Sequence, residues 1–235
     1  MPRHSRIVFS PARAGIALSL TLSFAGFGLA YAAPPAARFP RVVDVPSRPA
    51  FVRFPGQAES NAQVGQIPLP NTVLRTEKPG RLQVQLADGR SFRLGGDALL
   101  RLSTKDLTLE RGQIIAWVNP GSKGGAPLRV NTRVGTASIE GTTVFIDAAD
   151  TQVKVFSWEG HGKVITSSGQ TYSLQSGEQL TYGTDDPSQP AAWQGPRRLS
   201  LAELTQRRAK SILLNGFAAP IDTLPVIEKE LGLNP

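Results

Sequence analysis

The chain has 235 residues, no cysteine and a formal net charge of +8 at pH 7. The lack of cysteine excludes disulfides and thiolate metal sites, so packing alone must stabilise the fold, and the length is sufficient for one domain with a sizeable core. The basic residues are not interleaved with aromatic ones, and this composition excludes nucleic acid as an expected partner.

The first element is a signal peptide, predicted over residues 1–32. Basic residues without any acidic ones precede an apolar run from Ala14 to Leu29, and the run ends in Ala30-Tyr31-Ala32. This small-x-small pattern predicts cleavage after Ala32, and the absence of an Arg-Arg pair favours the Sec route. Cleavage removes three arginines, which lowers the formal charge from +8 to +5.

An uncleaved N-terminal membrane anchor is the alternative for this segment. No charged residue occurs between Arg13 and Arg38, a stretch long enough to span a bilayer. Either alternative predicts a periplasmic or secreted protein.

The next segment, residues 33–70, is predicted to be a proline-rich arm or linker. It holds eight prolines among scattered Val, Phe and Arg residues. Proline lacks the N–H group that a central strand must donate, so this composition is typical of an extended spacer.

Residues 71–183 are predicted to form an all-β domain. Leu82 to Leu86 alternate between apolar and polar residues, and Asp88-Gly89 supplies the turn of a hairpin. A further turn is predicted at Gly95–Asp97. Turns at regular short spacing indicate a jelly-roll-like sandwich or a short β-solenoid.

Three short phrases in the second half of this domain each combine an apolar strand with a glycine turn. They contain Gly141-Thr142-Thr143 followed by Phe145, then Glu159-Gly160, then Ser176-Gly177-Glu178. Glycine allows the turn dihedrals and threonine can hydrogen-bond across a turn, so these residues are interpreted as structural. In order and spacing the phrases resemble the FecR family, over roughly residues 79–182.

The resemblance implies a periplasmic β module of a regulator. FecR-family proteins as a class have a cytosolic anti-sigma segment, one membrane helix, the β module and a C-terminal part that meets a receptor's signalling domain. Only about thirteen residues precede the apolar run here, too few to bind a sigma factor. We therefore expect a FecR-like domain that lacks the cytosolic anti-sigma segment.

Two expectations concern side-chain orientation in this domain. The apolar residues of the three phrases are expected to point into one core; they are Ile139, Val144, Phe145, Val153, Val155 and Leu174. Arg93, which alternates with Phe92 and Leu94, is expected on a solvated sheet face.

The last segment, residues 184–235, is predicted to be a small helical tail. Ser200 and Glu203 form a capping box, and Asn215-Gly216 is a natural stop. A second short helix is predicted from Thr223 to about Gly232. The tail is expected either to pack on the open edge of the sheet or to bind a partner, and the candidate partner contacts are Trp193, Leu201, Leu204 and Ile212.

Candidate catalytic, cofactor-binding and metal-ligating residues are absent from the pattern. Beyond the signal peptide the only histidine is His161, between two glycines in a predicted turn. No nucleophile elbow and no calcium-loop spacing occurs. The sequence thus predicts that the protein is not an enzyme.

The sequence is consistent with two candidate functions. The first is an exported protein-interaction module in envelope sensing or signalling, whose partner is another envelope protein. The alternative is a structural or glycan-binding envelope protein that uses exposed tryptophans and positive charge against an anionic glycan.

Overall fold

The computed structural model describes residues 39–118, 126–184, 186 and 188–233. Within them the chain forms one continuous sheet of fifteen strands, followed by three helices. The strands are β1 (Arg41–Ser47), β2 (Ala50–Arg53), β3 (Ser60–Asn61), β4 (Val73–Thr76), β5 (Arg81–Gln85), β6 (Ser91–Leu102), β7 (Asp106–Trp117), β8 (Leu128–Thr132), β9 (Gly135–Ile139), β10 (Thr143–Ala148), β11 (Val153–Glu159), β12 (Gly162–Thr166), β13 (Thr171–Leu174), β14 (Glu178–Gly183) and β15 (Ala192–Arg198). The helices are α1 (Leu201–Lys210), α2 (Ile212–Asn215) and α3 (Leu224–Leu231). The predicted all-β fold with a helical C-terminal segment is confirmed, whereas the predicted signal peptide lies outside the described residues.

The two longest strands, β6 and β7, bend together and fold the sheet over on itself. Their pairing shifts register between Gly95 and Leu99, where a turn was predicted and a β-bulge is found. Opposite the bulge, Gly112 has φ +86°, and a Cβ there would lie 2.2 Å from the Cα of Ala98. Only glycine permits both this backbone conformation and this close approach.

The bend separates the strands into two layers. The first layer contains β1, β5, the start of β6, the end of β7, β10, β11, β14 and β15, and the second contains the remaining strands and strand halves. Neighbouring strands are antiparallel except for β7 with β8. The antiparallel pairing argues against the solenoid of the two predicted alternatives, because a solenoid would stack its strands in parallel; the described strands form a single, bent and mainly antiparallel sheet.

The main core lies between the two layers. Alternate side chains of the first layer, such as Leu94 and Ile114, meet those of the second, such as Leu100 and Leu109. Each fully buried Leu or Ile contributes about 1.5–3 kcal/mol to folding. Five of the six predicted core residues lie in this cluster: Ile139, Val144, Val153, Val155 and Leu174.

The sixth predicted core residue, Phe145, lies on the opposite face of the first layer. Side chains alternate along a strand, so Val144 and Ile146 point to the main core and Phe145 points outward. The expectation that all six residues share one core is therefore wrong for Phe145, which is half-buried beneath the C-terminal helices.

That outer face forms a second core with the helices. Strand residues Ile115, Trp117, Phe156 and Trp158 pack against helical and flanking residues, which include Leu204, Leu213, Leu214, Ile221, Ile227 and Leu231. The prediction that the tail docks on the β domain is confirmed. Its predicted place at the sheet edge is wrong, because apolar residues occupy both faces of β7 and β11 and the helices cover the outer one.

Part of the predicted proline-rich arm belongs to the sheet. β1 pairs with β5, and β2 pairs with β4. Val42, Ala50 and Val52 are buried in the main core. The prediction of a spacer overlooked that an edge strand such as β1, which pairs with one neighbouring strand only, tolerates proline at irregular positions.

Candidate functional site

The predicted motif residues meet in three turns at one end of the first layer. The hydroxyl of Thr142 donates to the backbone carbonyl of Glu159. The backbone N–H of Gly177 donates to the carbonyl of Ser157 at 2.8 Å. These bonds join turns that are far apart in sequence, which accords with the structural interpretation of the motif.

A buried polar cluster links the motif to the last helix. Thr143 Oγ1 donates to Glu159 Oε1 at 2.9 Å and lies 2.7 Å from Thr223 Oγ1, which leaves the Thr223 hydroxyl as donor. Burial raises the pKa of Glu159 to about 7, and the nearby carboxylate of Glu230 adds to the shift. Glu159 thus takes up a proton within the neutral pH range.

Helix α3 is fixed on these turns by Glu230. Its Oε2 accepts hydrogen bonds from the backbone N–H of Gly160, at 2.9 Å, and from the hydroxyl of Ser176. The backbone bond and the Ser176 bond lower the pKa of Glu230. Gly177, with φ +79°, lies below the helix, and a Cβ there would approach Leu231 Cδ2 to 3.1 Å. The motif turns therefore form the surface on which α3 packs.

Arg93 fixes the middle of the helical segment, at α2 and the residues that follow it. Its guanidinium donates to the carbonyls of Leu213, at 2.9 Å, and Ala219, and stacks 4.2 Å from the ring centroid of Phe217. Arg93 is fully buried, so the expectation of a solvated position is wrong. Burial lowers the pKa of Arg93 to about 10, partly opposed by Asp44 and Asp222. The hydrogen bonds to the carbonyls at the end of α2 offset the free-energy cost of burying the Arg93 guanidinium.

An open groove runs between α1 and the outer face of the first layer. Its basic side is a cavity of about 380 Å³. The charged residues of this side are Lys154, Arg197, Glu203, Arg207 and Lys210. Four cations thus surround a single carboxylate.

That carboxylate, Glu203, is part of the capping box predicted at the start of α1. Glu203 Oε2 accepts from the backbone N–H of Ser200 at 2.8 Å, and the two Glu203 oxygens accept from Arg197 at 2.9 and 3.2 Å. These bonds lower the pKa of Glu203 to about 2. Glu203 is therefore ionised and already engaged within the chain.

The apolar side of the groove is a second cavity of about 200 Å³ beneath α2. Phe145, Trp158, Ile212 and Leu213 line it, together with Gln113. Arg207 and Lys210 line both cavities, so the basic and apolar sides adjoin.

The four predicted partner contacts lie in different environments. Ile212 is 45% exposed and lines the apolar cavity. Leu201 is exposed, but helical spacing places it on the opposite side of α1 from Glu203 and Arg207. Leu204 is buried in the second core, so it packs within the chain and is not exposed to a partner. Trp193 is half-buried, with its ring centroid 5.3 Å from Tyr182.

The groove cations were not among the predicted site residues. Arg207 and Lys210 are three positions apart on α1 and therefore share a helix face. Their common face could have been predicted from the sequence, because the predicted helix contained both residues. Lys154 lies 53 residues before Arg207, so no local pattern joins it to them.

The structure also places the residues considered for catalysis. His161 is exposed in the turn before β12. In the described part of the chain, no group of three or more His, Cys, Asp and Glu side chains could hold a metal ion. None of the helices in that part is long and apolar enough to cross a membrane.

The fold defines an all-β module whose outer face is covered by its own C-terminal helices. Residues 72–161 match the family profile described as FecR protein. This segment is therefore similar to the FecR family, and the resemblance inferred from the motif is confirmed there. The match ends before the helices, so the C-terminal segment lies beyond it.

Two crystal structures of a candidate anti-sigma factor from Parabacteroides distasonis ATCC 8503 are similar in fold. One is 18% identical with a TM-score of 0.43, over 57% of this chain and 61% of that chain. The other is 17% identical with a TM-score of 0.46, over 61% of this chain and 64% of that chain. The aligned part is less than two thirds of either protein. No curated protein matches the chain.

Proposed function

We propose that the chain is an exported, non-enzymatic FecR-like module that binds a protein partner in envelope sensing or signalling. The observation that carries the proposal is the FecR match over residues 72–161. The family resemblance implies a regulator that acts by contacting other proteins. The groove beside this region offers both charged and apolar surface for such a contact.

Export is supported by the sequence of residues 1–32, with a basic start, an apolar run and a small-x-small end. We expect the mature protein of the envelope fraction to begin at Ala33. N-terminal sequencing of that protein tests this step. A start near Met1 would favour the membrane anchor.

The glycan-binding alternative is weakened by the positions of the tryptophans. Trp117 and Trp158 are buried in the second core, and Trp193 packs among tyrosines. Trp117 and Trp158 therefore present no open ring on which a sugar could stack, and Trp193 is only partly exposed. That alternative would depend on Trp193 and on the positive charge of the groove.

Crosslinking the mature protein in envelope extracts distinguishes the two functions. A protein partner is expected to appear as a discrete adduct that persists after glycosidase treatment and is identified by mass spectrometry. An anionic polymer would instead give binding that falls steeply as ionic strength rises. Retention of polysaccharide alone would overturn the proposed function.

A further inference from the structure

We propose that the groove between α1 and the first layer binds an acidic segment of the partner protein that also carries an apolar side chain. The carboxylates of this segment would lie on the basic side of the groove, and the apolar side chain would enter the cavity beneath α2. The inference rests on the proposed function, because it specifies the chemistry of the protein partner.

The charge of the groove selects an acidic occupant. Glu203 is held by Arg197 and by its own capping bonds. Lys154, Arg207 and Lys210 form no ion pair with any residue in the described part of the chain. Three cations are therefore free to receive carboxylates.

Arg207 is already oriented for this contact. Its guanidinium lies 4.4 Å from the ring centroid of Phe156 and donates to Gln179 Oε1. A planar guanidinium held against an aromatic ring loses little rotamer freedom when it binds a carboxylate. Burial lowers the pKa of Arg207, while Asp147 and Glu203 oppose the shift. A partly desolvated cation of this kind gains more from a carboxylate than a fully hydrated lysine does.

Asp147, which lies opposite Lys154 on the neighbouring strand, offsets only part of this charge. Its Oδ2 accepts a hydrogen bond from Gln113 Nε2 at 3.1 Å, on the side of the apolar cavity. Counting Lys154, Arg197, Arg207 and Lys210 against Glu203 and Asp147 leaves the groove with a net charge of +2.

The apolar cavity limits what can enter beside the carboxylates. Its volume of about 200 Å³ is below the roughly 300–1,000 Å³ of ordinary small-molecule sites. Ile212 is partly exposed at its rim, and Phe145 forms part of its wall. A cavity of this size next to a basic surface suits one apolar side chain of an acidic segment.

A matched pair of double variants tests the proposal. The groove variant is Lys154→Gln with Lys210→Gln, which neutralises one strand lysine and one lysine in the last turn of a helix. The control is Lys163→Gln with Lys229→Gln, which changes one exposed lysine in β12 and one in the last turn of α3. Both variants have the same net charge, and thermal unfolding shows whether both retain the fold.

The probe is an array of synthetic peptides in which acidic, basic and neutral segments each carry leucine at varied positions. The wild-type and control proteins are expected to bind acidic peptides that contain leucine, and the groove variant to bind them roughly tenfold more weakly, as two partly exposed ion pairs imply. Acidic peptides without leucine should bind more weakly to all three proteins.

Three results would overturn the inference. They are binding to no acidic peptide, equal binding by the groove and control variants, and binding to dextran sulfate as tight as to the best peptide. Each of these would leave the proposed function in place if a protein adduct is still found in envelope extracts. Absence of any protein adduct, by contrast, would overturn the proposed function itself.

Discussion

At the scale of single residues, buried polar groups determine how the C-terminal segment attaches to the sheet. Arg93 contacts carbonyls at the end of α2, and Glu159 and Glu230 hold the region of α3. The apolar side chains of the second core provide most of the burial. The polar groups fix where each helix lies, because an unpaired buried donor or acceptor is costly.

Arg93→Ala is predicted to destabilise the protein by about 3 kcal/mol or more. The substitution leaves the carbonyls of Leu213 in α2 and of Ala219 beyond it without this donor, and each such loss costs about 1–3 kcal/mol. Urea unfolding gives the change in free energy. The control is Arg101→Ala in the same strand, where an exposed pair with Glu110 is worth under about 1 kcal/mol. Equal effects of the two substitutions would show that Arg93 does not anchor the helices.

The second residue-scale prediction concerns pH. Glu159 has a pKa of about 7 in the fold, above the ordinary glutamate pKa of 4.5. The folded state therefore binds more protons than the unfolded state between these values, and stability falls as pH rises through this window. The loss attributable to Glu159 is roughly 3 kcal/mol.

The measurement is the unfolding free energy between pH 4.5 and pH 8 for the wild type and for Glu159→Gln. Glutamine keeps an acceptor for Thr143 and does not titrate. The wild type should lose stability relative to this variant as pH rises, and the difference should level off above pH 8. Parallel curves for the two proteins would contradict the assignment.

At the scale of elements, the bend shared by β6 and β7 brings the two layers of the single sheet around one core. Gly112→Ala is predicted to destabilise the fold by about 3 kcal/mol, because it combines backbone strain at positive φ with a clash against Ala98. Gly89→Ala is the control, since Gly89 has φ +89° with nothing within 4 Å of the added Cβ. The control should lose only the backbone part, about 1–2 kcal/mol. Urea unfolding midpoints that match for the two variants would show that the close approach is unimportant.

Elements specified by local sequence were predictable. The hairpin at Asp88-Gly89, the capping box at Ser200 and the α3 boundary at Gly232 each depend on a few neighbouring residues, and the structure contains all three. Contacts between distant segments were not predictable in this way. The carbonyls that accept from Arg93 lie about 120 residues further along the chain, so its alternation with apolar neighbours resembled an exposed sheet face.

The same limit explains the candidate site. The proline content of residues 33–70 prevented the prediction of β1 and β2, because composition does not show that β1 lies at an edge or that β2 pairs with β3 and β4. The groove exists only after α1 packs on the outer face of the first layer, and that face was not expected to be covered. Ile212 was identified from the helix pattern, whereas Lys154 joins the groove through the tertiary fold alone.

At the scale of the whole molecule, the described chain has three layers: two sheet layers around the main core and a helical layer on the outer face. The helical layer occupies apolar surface that would otherwise be exposed, and it leaves a groove with a basic and an apolar side. We propose that this groove is where the module contacts a protein partner.

Site-specific photo-crosslinking in intact cells tests that claim most directly. A photoreactive amino acid is placed at Ile212, in the groove, or at Val226, an apolar residue of α3 with similar exposure. A protein adduct is predicted for the probe at position 212 and not for the probe at position 226. Adducts of equal yield at both positions, or none at position 212 in a correctly exported protein, would contradict the account.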